Sequence, residues 1–560
     1  MTADTMTADS PVSEPTPTPP PPGKDGSLAR NSAVMAIGSL VSRASGFIRT
    51  AVIGAALSGA IIGDSYQVAN TLPNMVYELL LGGVLASVVV PLIVKARKTD
   101  EDGGVAFVHR LLTLATVLLA AATMVALLAA PLLTQLIISD AGGEQQRLVT
   151  WMAYLLLPEI FFYGIAAMLG AVLNTRGHFA APMWSPIVNN IVVIGTAIVF
   201  MLMPGPAIPT LESITAAQVM VLGVGTTLGV VAQTLALWPA LRRVGFRWRW
   251  RFDFANARLG EASRLAGWML CYVAVSQVGL FVVMALASRA GERGGPGPFI
   301  HNNAFLLFMM VHGIVAVSII TALLPRMSAS AVEGKYDEVS EQLSLGTRLS
   351  AVVLVPATAA YIALGVPLAV TAFQWGGFTQ EQAGETGLAT VAAATGLVPF
   401  AISQLQIFAF YAMRDTRTPA LANIPVIAVK VVVSIGLYMI LPPKYVVAGL
   451  MIANTLSAVA AVLLGAWLLR KRIGRLGLNL ILQTLTRLSM AAVFAGIIGW
   501  GIAYGVMTVL GDEKLGSFVA LVVGGGALIG AFLAGAVFLR VKEISEVGAT
   551  LRAKLPARFR

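Results

Sequence analysis

Long apolar stretches separated by short polar segments recur along the whole chain. Each is long enough, at about 20 residues, to cross a bilayer as an α-helix. The pattern therefore predicts an all-α polytopic membrane protein with about 14 transmembrane helices. The predicted helices lie near residues 32–62, 66–95, 106–138, 149–173, 182–203, 218–241, 264–289, 301–326, 345–373, 385–413, 418–441, 444–469, 485–510 and 515–540.

The polar signals at the helix ends repeat with an offset of roughly 235 residues. Helix two ends in Val-Val-Pro at 89–91 and helix eight in Leu-Leu-Pro at 323–325, each before a charged loop. Asn-Thr-Arg at 174–176 follows helix four, and Arg-Asp-Thr-Arg at 414–417 follows helix ten. This predicts two six-helix repeats plus two C-terminal helices. Repeated helical halves are typical of transporters, whose substrate sites lie near mid-membrane.

Basic residues are distributed unevenly between the two sides of the predicted bundle. With the N-terminus inside, the inner loops and tails hold about 29 Lys and Arg residues and the outer loops about 5. The positive-inside rule then predicts a multi-pass plasma-membrane protein with both termini in the cytoplasm. The predicted parts are a disordered Pro-rich tail at 1–30, a first repeat at 31–241, a basic linker at 242–263, a second repeat at 264–469, helices thirteen and fourteen within 470–540, and a basic tail at 541–560.

Composition narrows the function classes. Residues are 57% hydrophobic and 12% charged, against about 25% charged in soluble domains. The net charge of +11 fits positive-inside loops better than nucleic-acid binding. In the linker, arginines alternate with Trp248, Trp250 and Phe252, which predicts contact with anionic membrane lipids. The histidine spacing predicts no metal site, and without a phosphate-binding loop we expect no ATP hydrolysis and no cofactor.

Two arginines stand inside the first apolar helix. A charge at the bilayer centre costs about 2.5–3.5 kcal/mol by insertion scales, so an anionic ligand, a partner or a water-filled cavity is expected. Ser42, Gly46 and Arg49 share one helical face, and Arg43 lies roughly 100° away from Ser42. Arginine suits a phosphate ligand because its planar fork donates paired hydrogen bonds. The alternative is that both arginines reach the interface or pair with acids, for which the candidates are Asp64, Glu78 and Glu159.

Helix two carries further intramembrane polar groups. Asn74 either contacts the substrate or satisfies the carbonyl that Pro73 leaves free. Glu78 either pairs with an arginine, contacts amino groups of the substrate or takes up a proton, and pairing is favoured. At the outer end of helix one, Asp64 is either a solvated residue or part of a gate. Glu159, after Pro158 in helix four, either lines a cavity or is satisfied at a helix break.

These residues resemble the MurJ/MviN family. The resemblance rests on Ser-Arg-x-x-Gly-Phe-x-Arg at 42–49, Leu-Pro-Asn at 72–74, Leu-Asn-Thr at 173–175, Leu-Leu-Pro at 323–325 and Phe-Gln-Trp-Gly-Gly-Phe-Thr at 373–379. It covers about residues 31 to 540. It implies a flippase, not an enzyme, that moves lipid II from the inner to the outer leaflet by alternating access. Lipid II has a diphosphate, an aminosugar disaccharide with a peptide, and a polyprenyl tail.

The resemblance implies further features of the site and its partners. Helices thirteen and fourteen border a groove for the lipid tail, and proteins of cell-wall synthesis and division are candidate partners. Family members commonly carry arginines in helix two, where this chain has Tyr77 and Glu78, so the cationic wall would rest on Arg43 and Arg49. Some members bind a coupling cation in the second half. Lys430, deep in helix eleven, either excludes that cation or substitutes for it.

Other functions remain open from the sequence. The same superfamily includes exporters of other polyprenyl-linked saccharides and of drugs, although a cavity for cationic drugs would favour acids over arginines. A membrane enzyme acting on polyprenyl diphosphates would need clustered Asp or His at one membrane face. A scaffold of cell-wall assembly would not need arginines at mid-membrane.

Overall fold

The chain folds into helices only, in the part that the structure describes. This computed structural model describes residues 25–58, 61–81, 89–138, 143–206, 208–253, 260–541 and 543. The helices are α1 (Asp25–Leu57), α2 (Ile61–Leu81), α3 (Val90–Thr99), α4 (Val105–Ile137), α5 (Glu144–Leu156), α6 (Glu159–Thr175), α7 (Ala180–Leu202), α8 (Ala216–Leu235), α9 (Trp238–Arg243), α10 (Gly260–Glu292), α11 (Pro298–Val332), α12 (Tyr336–Phe373), α13 (Gln380–Ala394), α14 (Leu397–Ala412), α15 (Arg417–Ile440), α16 (Pro443–Ile473), α17 (Leu478–Leu510) and α18 (Lys514–Phe538).

The membrane-spanning segments agree closely with the predicted number. Twelve segments of the described residues are long and apolar enough to cross a membrane, and the pair α13 and α14, bent by 50°, makes a thirteenth. α2 stands where the second of the 14 helices was predicted but does not meet the same criterion. Residues 1–24 of the predicted disordered tail lie outside the described residues. Residues 25–30, which were predicted as part of that tail, are helical and belong to α1.

The first repeat forms a lobe of helices α1 to α9, the N-lobe. Its first and fifth spans are joined by one buried amide. Asn190 Nδ2 on α7 donates to the Ser42 carbonyl (3.3 Å) and to the Ser45 hydroxyl (2.8 Å) on α1. The fourth span is broken after Leu157, where α5 ends and α6 begins.

The second repeat, α10 to α16, forms the C-lobe and reproduces these features. Asn423 Nδ2 on α15 donates to the Tyr272 carbonyl (3.0 Å) and to the Ser276 hydroxyl (2.8 Å) on α10. Its fourth span is likewise broken, between α13 and α14. The same amide anchor in both lobes, together with an interruption of the fourth span in each, agrees with the predicted repeat, although only the α13–α14 pair is bent by 50°.

Within the residues that the structure describes, the lobes share a hydrophobic core at one end of the bundle. We call this the distal end, where α1 ends and α2 begins; the opposite, proximal end carries α9. One distal cluster joins Leu57 and Ile62 of the N-lobe to Phe299 and Phe378 of the C-lobe. In the proximal half the described residues form separate clusters in the N-lobe and the C-lobe. The lobes are therefore joined distally and packed independently at the proximal end.

α17 and α18 lie outside the two repeats and pack against α12. Leu364 of α12 forms a small core with Ala503 and Ala520. Gly499 and Gly524 bring the two helices together, since a Cβ on either would lie 3.0 or 2.9 Å from the other's carbonyl oxygen. Small residues thus allow the close packing expected in a membrane.

The basic linker begins at the proximal end as an extended segment against α4. The Arg249 amide donates to His109 Nδ1 and the Arg251 amide to Thr113 Oγ1, both at 3.1 Å. The alternation of arginine with aromatic residues gives this segment an aromatic row, in which ring centroids lie 5.0 and 6.2 Å apart. The row consists of Trp248, Trp250 and Phe252. Lipid contact by this row stays a prediction.

Candidate substrate-binding site

A cavity of about 300 Å³ lies between the two lobes. Its N-lobe wall is largely one face of α2, because Gln67, Asn70, Thr71 and Asn74 recur at helical spacing. Helices α10, α11, α15 and α16 form the C-lobe wall. The polar lining residues are Arg49, Thr50, Tyr66, Gln67, Asn70, Thr71, Asn74, Tyr163, Asn189, Thr226, His301, Asn302, Lys430 and Asn454.

Arg49 reaches this cavity from α1. Its Nε is buried without a hydrogen-bond partner, and within the described residues its guanidinium makes no hydrogen bond or ion pair. α1 packs mainly on α7 and also contacts α11 and α12 of the C-lobe. Within the described residues Arg49 is therefore an unpaired cation that faces a polar cavity.

Glu159 lies behind the cavity wall and does not line it. The side chain is completely buried at the start of α6, after the break at Pro158. Thr227 Oγ1 donates to Glu159 Oε1 at 3.5 Å, while Oε2 has no partner. The carboxyl is near enough for its charge to act on Arg49, yet they form no ion pair within the described residues. The structure thus favours the helix-break position over the cavity position for this residue.

Lys430 brings a second cation to the same cavity, from α15. It also lines a second cavity of about 300 Å³ inside the C-lobe, together with Ser276, Gln404 and Asn423. No Asp or Glu lines either cavity in the described part of the chain. Both cavities are therefore cationic and hydrogen-bonding.

The other residues of the arginine stretch point away from the inter-lobe cavity. A Cβ on Gly313 of α11 would lie 2.2 Å from Arg43 Nη1, so the Arg43 guanidinium rests on the α11 backbone. Ser42 and Gly46 face Asn190 of α7. Rotation around α1 thus places Arg43 beside the C-lobe and only Arg49 at the cavity.

In α2, Asn74 lines the cavity and Glu78 does not. Asn74 Nδ2 donates to the Asn70 carbonyl at 2.9 Å, one residue beyond the Ala69 carbonyl that Pro73 leaves free. Glu78 is exposed one turn further toward the proximal end, and no pairing with an arginine exists among the described residues. The favoured pairing of Glu78 is therefore not seen.

Asp64 closes the distal end of the cavity by binding the C-lobe. Its Oδ1 accepts a hydrogen bond from the Phe299 amide at 2.9 Å, in the first turn of α11. A carboxylate there satisfies a free amide and complements the helix dipole. A Cβ on Gly297 would lie 1.9 Å from Asp64 Oδ2, so a glycine is needed at that position. Asp64 is a buried inter-lobe contact and not a solvated loop residue.

Two more hydrogen bonds between the lobes lie beside Asp64. The Gly377 amide donates to the Ala55 carbonyl at the end of α1 (2.8 Å), and the Ser58 hydroxyl donates to Gln382 Oε1 (3.0 Å). Gly376 has φ +53°, and a Cβ there would lie 2.6 Å from the Ala55 oxygen. With the Asp64 contact, these hydrogen bonds join the two lobes at the distal end.

An apolar cleft of about 830 Å³ lies beside the cavity, between α1 and the helices α11 and α12. Phe47, Ala51 and Val52 form its N-lobe side, and Leu307, Tyr361 and Leu368 are among the residues of its C-lobe side. The cleft is close to the polar cavity because both use neighbouring faces of α1.

Sequence reasoning missed most of the amide and hydroxyl groups of the cavity. Those outside α2 lie in apolar helices, where an Asn or Tyr resembles an interhelical contact as much as a ligand contact. The sequence signal that could have revealed the cavity wall is the polar face of α2, formed by Gln67, Asn70, Thr71 and Asn74. The groups missed include Tyr66, Gln67, Asn70, Thr71, Tyr163, Asn189, Thr226, Asn302 and Asn454.

Two pseudo-symmetric helical lobes around a shared polar cavity define a membrane transporter of the two-repeat class. A solved inward-facing structure of a multidrug-resistance MATE family transporter of the MOP superfamily has this fold, with TM-score 0.61 and 17% identity, covering 80% of this chain and 98% of that one. A structure titled lipid II flippase MurJ, inward closed conformation, has TM-score 0.70 and 17% identity, covering 91% and 99%.

The chain belongs to the MurJ family: the family model described as lipid II flippase MurJ matches residues 53–523. A probable lipid II flippase MurJ of Vibrio cholerae is 24% identical over 519 residues, which cover 88% of this chain and 95% of the relative. The lipid II flippase MurJ of Burkholderia cenocepacia is 26% identical over 398 residues, covering 70% and 74%.

Proposed function

We propose that this protein is a flippase that moves lipid II from the inner to the outer leaflet of the plasma membrane by alternating access. The observation that carries the proposal is the polar inter-lobe cavity, which holds unpaired Arg49 and no acidic lining residue in the described chain. Membership in the MurJ family supports the same substrate. The protein acts as a transporter, not as an enzyme.

The lining suits a saccharide diphosphate. A guanidinium binds phosphate oxygens by charge-assisted hydrogen bonds, and carboxamides both donate to and accept from sugar hydroxyl and acetamido groups. The volume of about 300 Å³ is at the lower end of the range for ligand pockets, about 300–1,000 Å³. It accommodates the diphosphate and the adjoining sugar. A cationic drug would find no counter-charge on this lining.

The cavity faces the cytoplasm in this state. We assign the proximal end to the cytoplasm because the arginine-rich segment lies there and few basic residues lie at distal helix ends. Since the described residues of the two lobes share a core and hydrogen bonds at the distal end and form separate proximal cores, a headgroup enters from the inner leaflet. Release of the Asp64 contact and its two neighbouring hydrogen bonds then opens the outer side.

The polyprenyl tail stays in an apolar environment throughout. The cleft between α1 and α11–α12 supports this, because it is apolar and adjoins the cavity that would hold the headgroup. The packing of α17 and α18 on α12 is compatible with a tail groove on that side. A membrane potential supplies about 2.3 kcal/mol per charge and 100 mV, enough to bias a charged step. Contacts with proteins of cell-wall synthesis and division stay a prediction.

The experiment measures lipid II at the outer leaflet in cells depleted of the chromosomal flippase and supplied with variants of this chain. Wild type and Arg147→Ala, which removes an exposed distal arginine, restore externally accessible lipid II. Arg49→Ala lowers the translocation rate about tenfold or more, since a charge-assisted hydrogen bond contributes about 1.5–3 kcal/mol. If wild type restores no external lipid II, the proposal is wrong; if Arg49→Ala equals wild type, the cavity is not the headgroup site.

A further inference from the structure

The second cation of the inter-lobe cavity is Lys430, which reaches the cavity from α15. Lys430 makes no hydrogen bond or ion pair with any residue that the structure describes. Its stem packs on α10, where a Cβ on Gly279 would lie 3.8 Å from Lys430 Cδ. The Lys430 stem therefore runs beside α10 on its way to the cavity. An ammonium in such a place needs a ligand or water for its hydrogen bonds.

The internal repeat relates Lys430 to Arg49. The groups bound by Asn190 on α1 (residues 42 and 45) correspond to those bound by Asn423 on α10 (residues 272 and 276), which are shifts of 230 and 231 residues. The same shifts carry position 49 to positions 279 and 280. Lys430 therefore packs across the C-lobe position that corresponds to Arg49. The two cations approach one cavity from pseudo-symmetric sides.

We propose that Lys430 is the phosphate-binding residue of the C-lobe, and that the diphosphate of the substrate binds Arg49 and Lys430 together and so bridges the two lobes. The inference rests on the proposed function. Without ligand, two cations in a cavity without acidic lining residues repel each other. A diphosphate dianion between them attracts both cations, so that the net electrostatic interaction becomes favourable. Headgroup binding thus draws together lobes that are packed independently at their proximal ends.

A binding measurement tests the assignment with two probes, undecaprenyl diphosphate and undecaprenyl monophosphate. The full-length protein in nanodiscs is titrated with each lipid, and Kd is compared for wild type, Lys430→Gln, Lys430→Arg and the control Lys444→Gln, which removes an exposed distal lysine. We expect Lys430→Gln to weaken diphosphate binding about 10- to 100-fold and monophosphate binding less than threefold. Lys430→Arg keeps the preference for the diphosphate.

The outcomes separate this inference from the proposed function. Unchanged binding of both lipids by Lys430→Gln, or an equal loss of both, overturns the role of Lys430, the second result indicating a structural residue. If Arg49→Gln still loses binding in that case, the flippase cavity stands without Lys430. If wild type binds undecaprenyl diphosphate no better than phosphatidylglycerol, the proposed function itself fails.

A distance measurement tests the bridging directly. Spin labels at His178→Cys in the N-lobe and Glu333→Cys in the C-lobe, in a Cys271→Ser background, report the separation of the proximal ends. Undecaprenyl diphosphate is expected to shorten this distance in wild type and to leave it unchanged in Lys430→Gln at ligand saturation. Equal shortening in both overturns the bridge, because Arg49 alone would then suffice.

Discussion

At the scale of single residues, the lack of a Cβ at Gly376 allows the loop between α12 and α13 to contact the end of α1. Gly376 has φ +53° and lies too close to the Ala55 carbonyl for any Cβ. The next amide, of Gly377, then donates to that carbonyl. Gly376 of the motif at 373–379 is therefore required by the inter-lobe contact.

Gly376→Ala is expected to destabilise the distal contact. A left-handed conformation costs an alanine about 1–2 kcal/mol, and the approach to Ala55 adds to this cost. We expect a lower thermal unfolding temperature and slower lipid II translocation. Gly384→Ala on α13 is the matched control, because its Cβ would meet no atom within 4 Å. Equal effects of the two substitutions would show that the loop does not need the glycine.

Asp64→Ala is expected to open the distal side more often. Loss of a helix-capping side chain costs about 0.5–2 kcal/mol, which corresponds to about 2- to 30-fold in the open population. The readout is labelling of Ala290→Cys, a completely buried distal position, by an impermeant maleimide in a Cys271→Ser background. Asp64→Asn keeps the acceptor and stays near the wild-type rate, as does the exposed-site control Asp512→Ala. No acceleration in Asp64→Ala would contradict a gating role.

The sequence predicted individual site residues only where chemistry alone singles them out. Arg49 was predicted because a charge in an apolar helix requires a reason. Arg43 has the same charge, but its rotation toward Gly313 depends on how α1 packs between two lobes. Whether Asp64 is solvated or bound likewise depends on a partner, Phe299, that is 235 residues away. Such contacts between distant residues leave no local signal.

At the scale of elements, the repeat is visible as two equivalent amide anchors. In each lobe one asparagine fastens the fifth span to the first through a carbonyl and a hydroxyl. The repeat followed from recurring loop signals, and apolar periodicity gave a helix number of 14, close to the 12 or 13 spans among the described residues. A break after Pro158 was one of the two alternatives for Glu159, whereas the bend between α13 and α14 was not predicted, because an apolar sequence satisfies a straight or a bent span equally well.

Asn190→Ala and Asn423→Ala are expected to destabilise the protein by similar amounts. Each removes two hydrogen bonds of a buried amide, which predicts a loss of about 1–3 kcal/mol. Thermal unfolding in detergent measures the two variants against Asn479→Ala, which removes an exposed amide on α17. A large effect in one lobe and none in the other would contradict the equivalence of the two anchors.

At the scale of the whole molecule, orientation connects the fold to transport. The N-lobe and C-lobe each have a proximal core of their own, and the basic segment after α9 lies at this end. If the proximal end is cytoplasmic, the cavity in this state receives a substrate made inside the cell. The charge distribution that predicts this orientation is a property of the complete sequence and needs no structure.

Cysteine accessibility tests the orientation. In a Cys271→Ser background, Glu333→Cys at the proximal end is expected to react with an impermeant maleimide only after permeabilisation. Asp512→Cys at the distal end reacts in intact cells. Both side chains are exposed in loops, so neither result depends on gate opening. The reverse pattern would invert the proposed direction of access.

The distal core shared by both lobes also has a consequence for amide hydrogen exchange. Amides whose protection needs the whole molecule to open exchange slowest, and those in independently packed units exchange through partial opening. Backbone amides near Leu57 and Phe299 therefore belong to the slowest class. Amides of the two proximal cores exchange faster and at lobe-specific rates. A compound that slows amide hydrogen exchange in both proximal cores at once would therefore be identified, from this measurement alone, as a ligand that joins the two lobes.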